Sequence, residues 1–350
     1  MRESARSDVR AWSSRVFLGL LALAALLVPI TLEAPGARAD GGVAARPSAG
    51  CSLPRGRAAA PGITNQLLAA AGDQGAYVRQ IPSTYTAKTP MPVVVDLHGY
   101  GESATLQADL TALGAYGDSH GFITVTPQVA AAVPMWITNL GGKDLAWIGA
   151  LLHTIDTTMC VDRNRTFVTG YSNGAFMASS IACQFAGQIA AVAPVSGIED
   201  PSGCHPSRPV PVVTFHGTAD QYVSYTGGLG PAALKLPAAD GSSKNIGQEL
   251  GAGAPQLKGP SVPSLTATWA TRNGCAKGPS THAVTSDVTL IAYRCPNGSD
   301  VELYRVTGGG HAWPGSLFSK AIESAIGKVT YTISANRIIW AFFQAHPLRR

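Results

Sequence analysis

Gly170-Tyr171-Ser172-Asn173-Gly174 sets a serine between two glycines, directly after the apolar run Thr166–Thr169 and directly before the helix-like stretch Ala175–Phe185. A strand, a G-x-S-x-G turn and a helix in that order force the serine into a strained backbone. The flanking glycines let strand and helix approach each other. Such a turn presents the hydroxyl at a helix N-terminus, where the dipole favours developing negative charge. The chemistry this permits is nucleophilic attack on a carbonyl. A serine hydroxyl is a weak nucleophile at neutral pH, so it needs a base, and the base needs a third group to orient it. Reading on in the order serine, acid, histidine, His216-Gly217-Thr218-Ala219-Asp220 follows the run Val210–Phe215. Gly308-Gly309-Gly310-His311-Ala312-Trp313-Pro314-Gly315 then follows Val301–Val306. The expected catalytic set is Ser172, Asp220 and His311.

Position argues against the rivals. His120 and His153 fall in or at the end of helical patterns, His205 and His282 fall in loops that follow no predicted strand, and His346 falls in the terminal helix. His216 follows a strand but breaks the order, and Asp200, the competing acid, reads as a loop or turn residue. Acyl chemistry also needs donors aimed at the oxyanion of the tetrahedral intermediate. The N–H of Asn173, next to the nucleophile, is one candidate. The other is the N–H of Tyr100, because Leu97-His98-Gly99-Tyr100-Gly101 resembles an H-G-x oxyanion loop, with His98 bracing it.

These residues must be held by a frame, and the rest of the chain supplies one. Apolar, β-branched runs recur at Pro92–Leu97, Phe122–Thr126, Thr166–Thr169, Ala190–Val195 and Val210–Phe215, of a length that suits buried strands. Helical patterns lie between them. In Asp144–Met159, Leu145, Ile148, Leu151, Leu152, Ile155 and Met159 recur three or four apart. Two more strand-like runs, Val288–Tyr293 and Val301–Val306, precede a helix whose stripe is Ile338, Ile339, Phe342 and Phe343. The alternation predicts an α/β fold, a mainly parallel central sheet with helices on both faces. In such a sheet, reactive groups collect on loops leaving the carboxyl ends of strands. Residues 227–263, rich in Gly, Pro, Ala and Ser, interrupt the alternation as a long surface insertion, either a lid or a loop without function.

At 45% hydrophobic and 13% charged, the 350-residue chain is neither disordered nor, with 39 glycines in no three-residue period, a collagen. Four arginines precede the uncharged run Val16–Ile30, and Ala37-Arg38-Ala39 gives a small-x-small cleavage pattern, so residues 1–39 read as a secretory signal. The run falls short of the roughly 20 residues of a spanning helix, which disfavours a membrane anchor. A lipid anchor at Cys51 is disfavoured by its distance from the run. The formal charge of +5 includes five basic against three acidic residues in that leader, so no nucleic-acid surface is indicated. Residues 40–62 read as an extended segment, fastened only if Cys51 finds a partner, and residues 63–350 as one catalytic domain. Six cysteines without a C-x-x-C pair in an exported chain point to three disulfides rather than a metal or redox site, with Cys275–Cys295 the one assignable pair.

With those residues in place, the sequence resembles carbohydrate esterase family 1, the group holding secreted feruloyl esterases and polyhydroxybutyrate depolymerase-like esterases. The likeness spans roughly residues 48–346. It rests on Ser48–Cys51, Leu97-His98-Gly99, Gly141-Gly142-Lys143-Asp144, Cys160-Val161-Asp162, Gly170–Gly174, the His216–Asp220 segment, Asn273-Gly274-Cys275 and the run around His311. The resemblance implies an α/β-hydrolase fold, a Ser172-Asp220-His311 triad, no metal or other cofactor, and disulfides among the six cysteines. It also implies that Trp136 and Trp313 line an acyl cleft, although framework packing fits both equally well. Depolymerases of solid polyester usually carry a further binding domain, and the chain ends soon after its last helix, so soluble esters are the expected substrates. The function expected is a secreted, monomeric serine esterase acting through an acyl-enzyme on hydroxybutyrate-type oligoesters or feruloyl esters. Acyl transfer or peptide hydrolysis on the same triad, and a non-catalytic secreted binding protein, are the alternatives.

Overall fold

The computed structural model describes residues 42–54, 56–251, 258–275 and 278–349. The secretory signal expected at residues 1–39 lies outside the described residues. Ten strands form one sheet: β1 (Gly62–Ala70), β2 (Asp73–Ile81), β3 (Met91–Leu97), β4 (Ile123–Val129), β5 (Val161–Tyr171), β6 (Val192–Val195), β7 (Val212–Gly217), β8 (Ser280–Ala283), β9 (Val288–Tyr293) and β10 (Val301–Val306). Their order is β1-β2-β4-β3-β5-β6-β7-β10-β9-β8. The six central strands from β4 to β10 are parallel, and the two strands at each edge are antiparallel.

The helices are α1 (Ala104–Thr111), α2 (Leu113–His120), α3 (Lys143–Thr158), α4 (Asn173–Gln184), α5 (Ile246–Leu250), α6 (Val262–Arg272), α7 (Leu317–Ala321), α8 (Glu323–Ile326) and α9 (Ala335–Ala345). None among the described residues is long and apolar enough to cross a membrane. The two-residue period of β3 sends Val93, Val95 and Leu97 into one core, with Leu145, Ile148 and Ile155 of α3 and Met177 and Ile181 of α4. Val94 points the other way, into a second core with Phe167, Phe215, Leu110 and the α9 residues Ile339, Trp340 and Phe343. Phe167 and Phe343 stack with centroids 4.5 Å apart. Burying each such side chain contributes about 1.5–3 kcal/mol, so both faces of the parallel strands are fixed by packing.

Three disulfides form: Cys51–Cys160, Cys183–Cys204 and Cys275–Cys295. The first fastens the N-terminal segment to the start of β5. Around it, Pro47 bridges to Asp162, and the Arg46 N–H donates to the Asp162 carboxylate at 2.8 Å. The described part of the 227–263 insertion carries local structure. Val223 bridges to Leu229 and Pro237 to Asn245, Ala238 is fully buried, and α5 opens with an Asn245–Gln248 capping box.

Candidate active site

β5 delivers Ser172 into a sharp turn at φ 56°, ψ −118°, and α4 begins at the next residue. A non-glycine residue held there stores about 1–3 kcal/mol of strain. The glycines of the motif follow from contact distances. A Cβ on Gly170 would lie 2.3 Å from the Gly174 carbonyl oxygen, and one on Gly174 would lie 2.2 Å from the Leu97 oxygen. The turn is thus wedged between α4 and the end of β3. The Ser172 hydroxyl caps no N–H of α4, which leaves it open for reaction.

Asp220 leaves the end of β7 and His311 the loop after β10, its neighbour in the sheet. Asp220 Oδ2 accepts from His311 Nδ1 at 2.7 Å, and both residues are buried. Asp220 Oδ1 accepts the backbone N–H groups of Tyr222 and Val223 at 2.8 and 2.9 Å. Burial works to raise the Asp220 pKa, but the facing His311, His216 and these donors outweigh it and hold the carboxyl below its ordinary range. With Nδ1–H committed to the carboxylate, the His311 Nε2 lone pair is the basic one. The imidazole packs between the rings of Tyr171 and Tyr222, at centroid distances of 4.8 and 4.9 Å. Tyr171 Oη, one residue before Ser172, donates to the His311 carbonyl at 2.5 Å and so ties the serine turn to the histidine loop. The Ser172 hydroxyl makes no hydrogen bond to His311 in this arrangement.

The loop after β3 has nearly all its amides occupied. The Gly99 N–H donates to Glu102 Oε2 at 2.8 Å, Gly101 N–H to the Pro134 carbonyl at 2.7 Å, and Glu102 N–H to the Gly99 carbonyl at 3.3 Å. His98 Nδ1–H donates to that same carbonyl at 2.8 Å. Burial pushes the His98 pKa down to about 4, so the ring is a neutral donor. The Gly99 carbonyl and the Tyr100 N–H belong to one peptide plane, so fixing the oxygen aims the N–H the opposite way. Among the described residues the Tyr100 N–H has no acceptor. Neither has that of Asn173, which opens α4 and lacks a partner within the helix. The Asn173 side chain clamps the Trp136 backbone, Oδ1 accepting its N–H at 2.6 Å and Nδ2 donating to its carbonyl at 3.1 Å.

The two tryptophans take the framework role instead of lining an acyl cleft. Each is 1% exposed. Trp136 Nε1 donates to the His98 carbonyl at 3.1 Å and Trp313 Nε1 to Asn336 Oδ1 at 2.9 Å, so each indole satisfies its one donor inside the protein. Asp200, the competing acid, pairs with Arg272 at 2.5 Å. Sequence reasoning passed over Glu102 and Tyr171. Glu102 lay three residues beyond Gly99 in a loop already singled out, whereas the Tyr171 contact crosses 140 residues and left no local signal.

A solved acetyl xylan esterase from Aspergillus awamori superposes with a TM-score of 0.51, at 16% identity, over 75% of this chain and 98% of its own. The chain has the α/β-hydrolase fold. No family model matches it. In sequence, the chain is similar to feruloyl esterase B of Piromyces equi, 28% identical over 245 residues, spanning 67% of this chain and 42% of the relative. It is also similar to a bifunctional acetylxylan esterase/xylanase of Neocallimastix patriciarum, 30% identical over 134 residues, spanning 38% and 20%. The chain thus covers less than half the length of these two relatives. The resemblance read from the motifs accords with relatives that are a feruloyl esterase and an acetylxylan esterase/xylanase.

Proposed function

We propose that this α/β-hydrolase is a serine esterase that cleaves carboxylic esters through an acyl-enzyme. The observation that carries the reading is the His311–Asp220 hydrogen bond of 2.7 Å, on the loops beside a serine held at φ 56°. Ser172 Oγ attacks the ester carbonyl while His311 Nε2 takes its proton. The oxyanion forms against the free N–H groups of Tyr100 and Asn173. Asp220 stabilises the imidazolium, which returns the proton to the leaving alkoxide. A water molecule, activated by the same imidazole, then releases the acid. The feruloyl and acetylxylan esterase relatives favour an aromatic or acetyl group esterified to a sugar over a hydroxybutyrate oligoester. Three disulfides support an oxidising, extracellular setting.

The test is turnover of p-nitrophenyl acetate and butyrate by the wild type and by Ser172→Ala. Loss of turnover in the variant supports the reading, and equal rates would remove it. Methyl ferulate, acetylated xylo-oligosaccharides and hydroxybutyrate oligomers, run side by side, then assign the acyl group. Added alcohol acceptors and amide analogues separate hydrolysis from transfer and peptide cleavage.

A further inference from the structure

A carboxylate that orients a catalytic imidazole must itself be kept from turning. Asp220 Oδ1 is held by two backbone N–H groups, and Oδ2 receives the His311 proton along one lone pair. The second flank of Oδ2 faces another histidine. His216 Nε2 lies 3.4 Å from Asp220 Oδ2 and 2.8 Å from the Val223 carbonyl oxygen, and the His216 side chain is wholly buried. A carbonyl only accepts, so Nε2 carries the proton. His216 Nδ1 is buried with no hydrogen-bond partner, as a bare nitrogen would be. Burial lowers the His216 pKa against the opposing pull of Asp220, in keeping with a neutral ring.

We infer that His216 is a positioning residue for Asp220, its single Nε2–H shared between the Val223 carbonyl and Oδ2 so that the carboxylate keeps the rotation His311 needs. The Val223 backbone closes the arrangement, since its N–H donates to Oδ1 while its carbonyl accepts from His216. Turning Asp220 about χ2 would break contacts on both oxygens at once. The inference rests on the proposed triad and adds a fourth side chain that touches neither substrate nor the reacting atoms.

The experiment uses the full disulfide-bonded chain with His216→Phe, which fills the space without an N–H, and His216→Gln, whose amide nitrogen reaches the Nε2 position. Readouts are kcat and KM on p-nitrophenyl butyrate, and the low-field proton resonance of the His311–Asp220 hydrogen bond. The Phe variant should lose kcat by roughly ten- to hundredfold, the scale of a misplaced catalytic group, with KM unchanged and the resonance shifted or lost. The Gln variant should stay within about threefold of wild type and keep the resonance, by the same geometric argument. Wild-type kcat and resonance in His216→Phe would overturn the inference, as would equal losses in both variants. Should His216→Phe not fold, His216→Asn replaces it, because its shorter amide reaches only the Nδ1 position. An Asn variant as active as the Gln variant then overturns the inference. Full activity in Ser172→Ala would defeat the triad reading instead, and the dependence of the His311 resonance on residue 216 would still be measurable.

Discussion

Asp96 is wholly buried in β3, two residues before His98, and its burial has a measurable consequence. Its Oδ1 accepts from Gln107 Nε2 and its Oδ2 from the Thr111 hydroxyl, both at 2.7 Å. Burial outweighs these two donors, and the carboxyl pKa rises from 3.8 to about 7. The folded protein therefore holds this proton across a range in which the unfolded chain has released it. Wherever the folded state binds more protons, stability falls as pH rises. The contribution is complete below about pH 4 and gone above about pH 7, and at about 1.4 kcal/mol per pH unit it amounts to about 4 kcal/mol. Asp96→Asn is the matched control. The amide oxygen can accept from Gln107 and the amide nitrogen can donate to Thr111, whose hydroxyl already lies 3.1 Å from the Gln107 carbonyl and can turn its proton there. Urea unfolding of both proteins at pH 4, 5.5, 7 and 8 gives their difference free of most other titrations. Relative to Asp96→Asn, the wild type should lose stability steadily from pH 4 to 7 and level off. A difference that is flat, or that grows in favour of the wild type, would refute the reasoning.

Three further outcomes can be checked directly. His98→Phe removes the Nδ1–H that fixes the Gly99 carbonyl. The Tyr100 N–H then loses its aim, and kcat on p-nitrophenyl esters should fall toward the roughly 10²–10³-fold cost of an oxyanion donor while KM changes little. Gly174→Ala places a methyl 2.2 Å from the Leu97 oxygen, which forces the serine turn and β3 apart. Thermal unfolding should show a loss of about 1–3 kcal/mol, and esterase assays a near-complete loss of activity. Replacing both Cys51 and Cys160 by serine opens a loop spanning 109 positions. By loop-closure entropy, urea titration should show a loss of about 4–5 kcal/mol, with KM unchanged.

The parallel centre of the sheet is legible in the chain because strands covered on both faces must be apolar along their length. Each run read as a strand from Pro92 to Val306 falls on β3 to β7, β9 or β10. The edges are not legible in the same way. β1 alternates exposed and half-covered residues, and Leu67 is 89% exposed, so it lacks a buried strand's run. Its hairpin turns through Ala71 and Gly72, both at positive φ, where the usual signal would be Asn-Gly. β8 is exposed throughout and reads as polar loop. In the candidate site, Ser172, Asp220 and His311 announce themselves by their place after strands. The contacts that steady them, from Tyr171 and His216, depend on which atoms meet across the sheet. The direction of an indole ring is likewise set by tertiary packing, so position alone could not tell a cleft wall from framework at Trp136 and Trp313.

The Tyr100 side chain reaches into the long insertion. Its hydroxyl donates to the Pro237 carbonyl at 2.7 Å, and Gly241 of the same insertion lies against Ala132 so closely that a Cβ there would stand 3.0 Å from the Ala132 methyl. One residue therefore joins the peptide proposed to face the oxyanion to the long insertion. Grafting a foreign 227–263 segment to alter selectivity would disturb turnover along with recognition, unless the graft keeps a carbonyl within reach of that phenol.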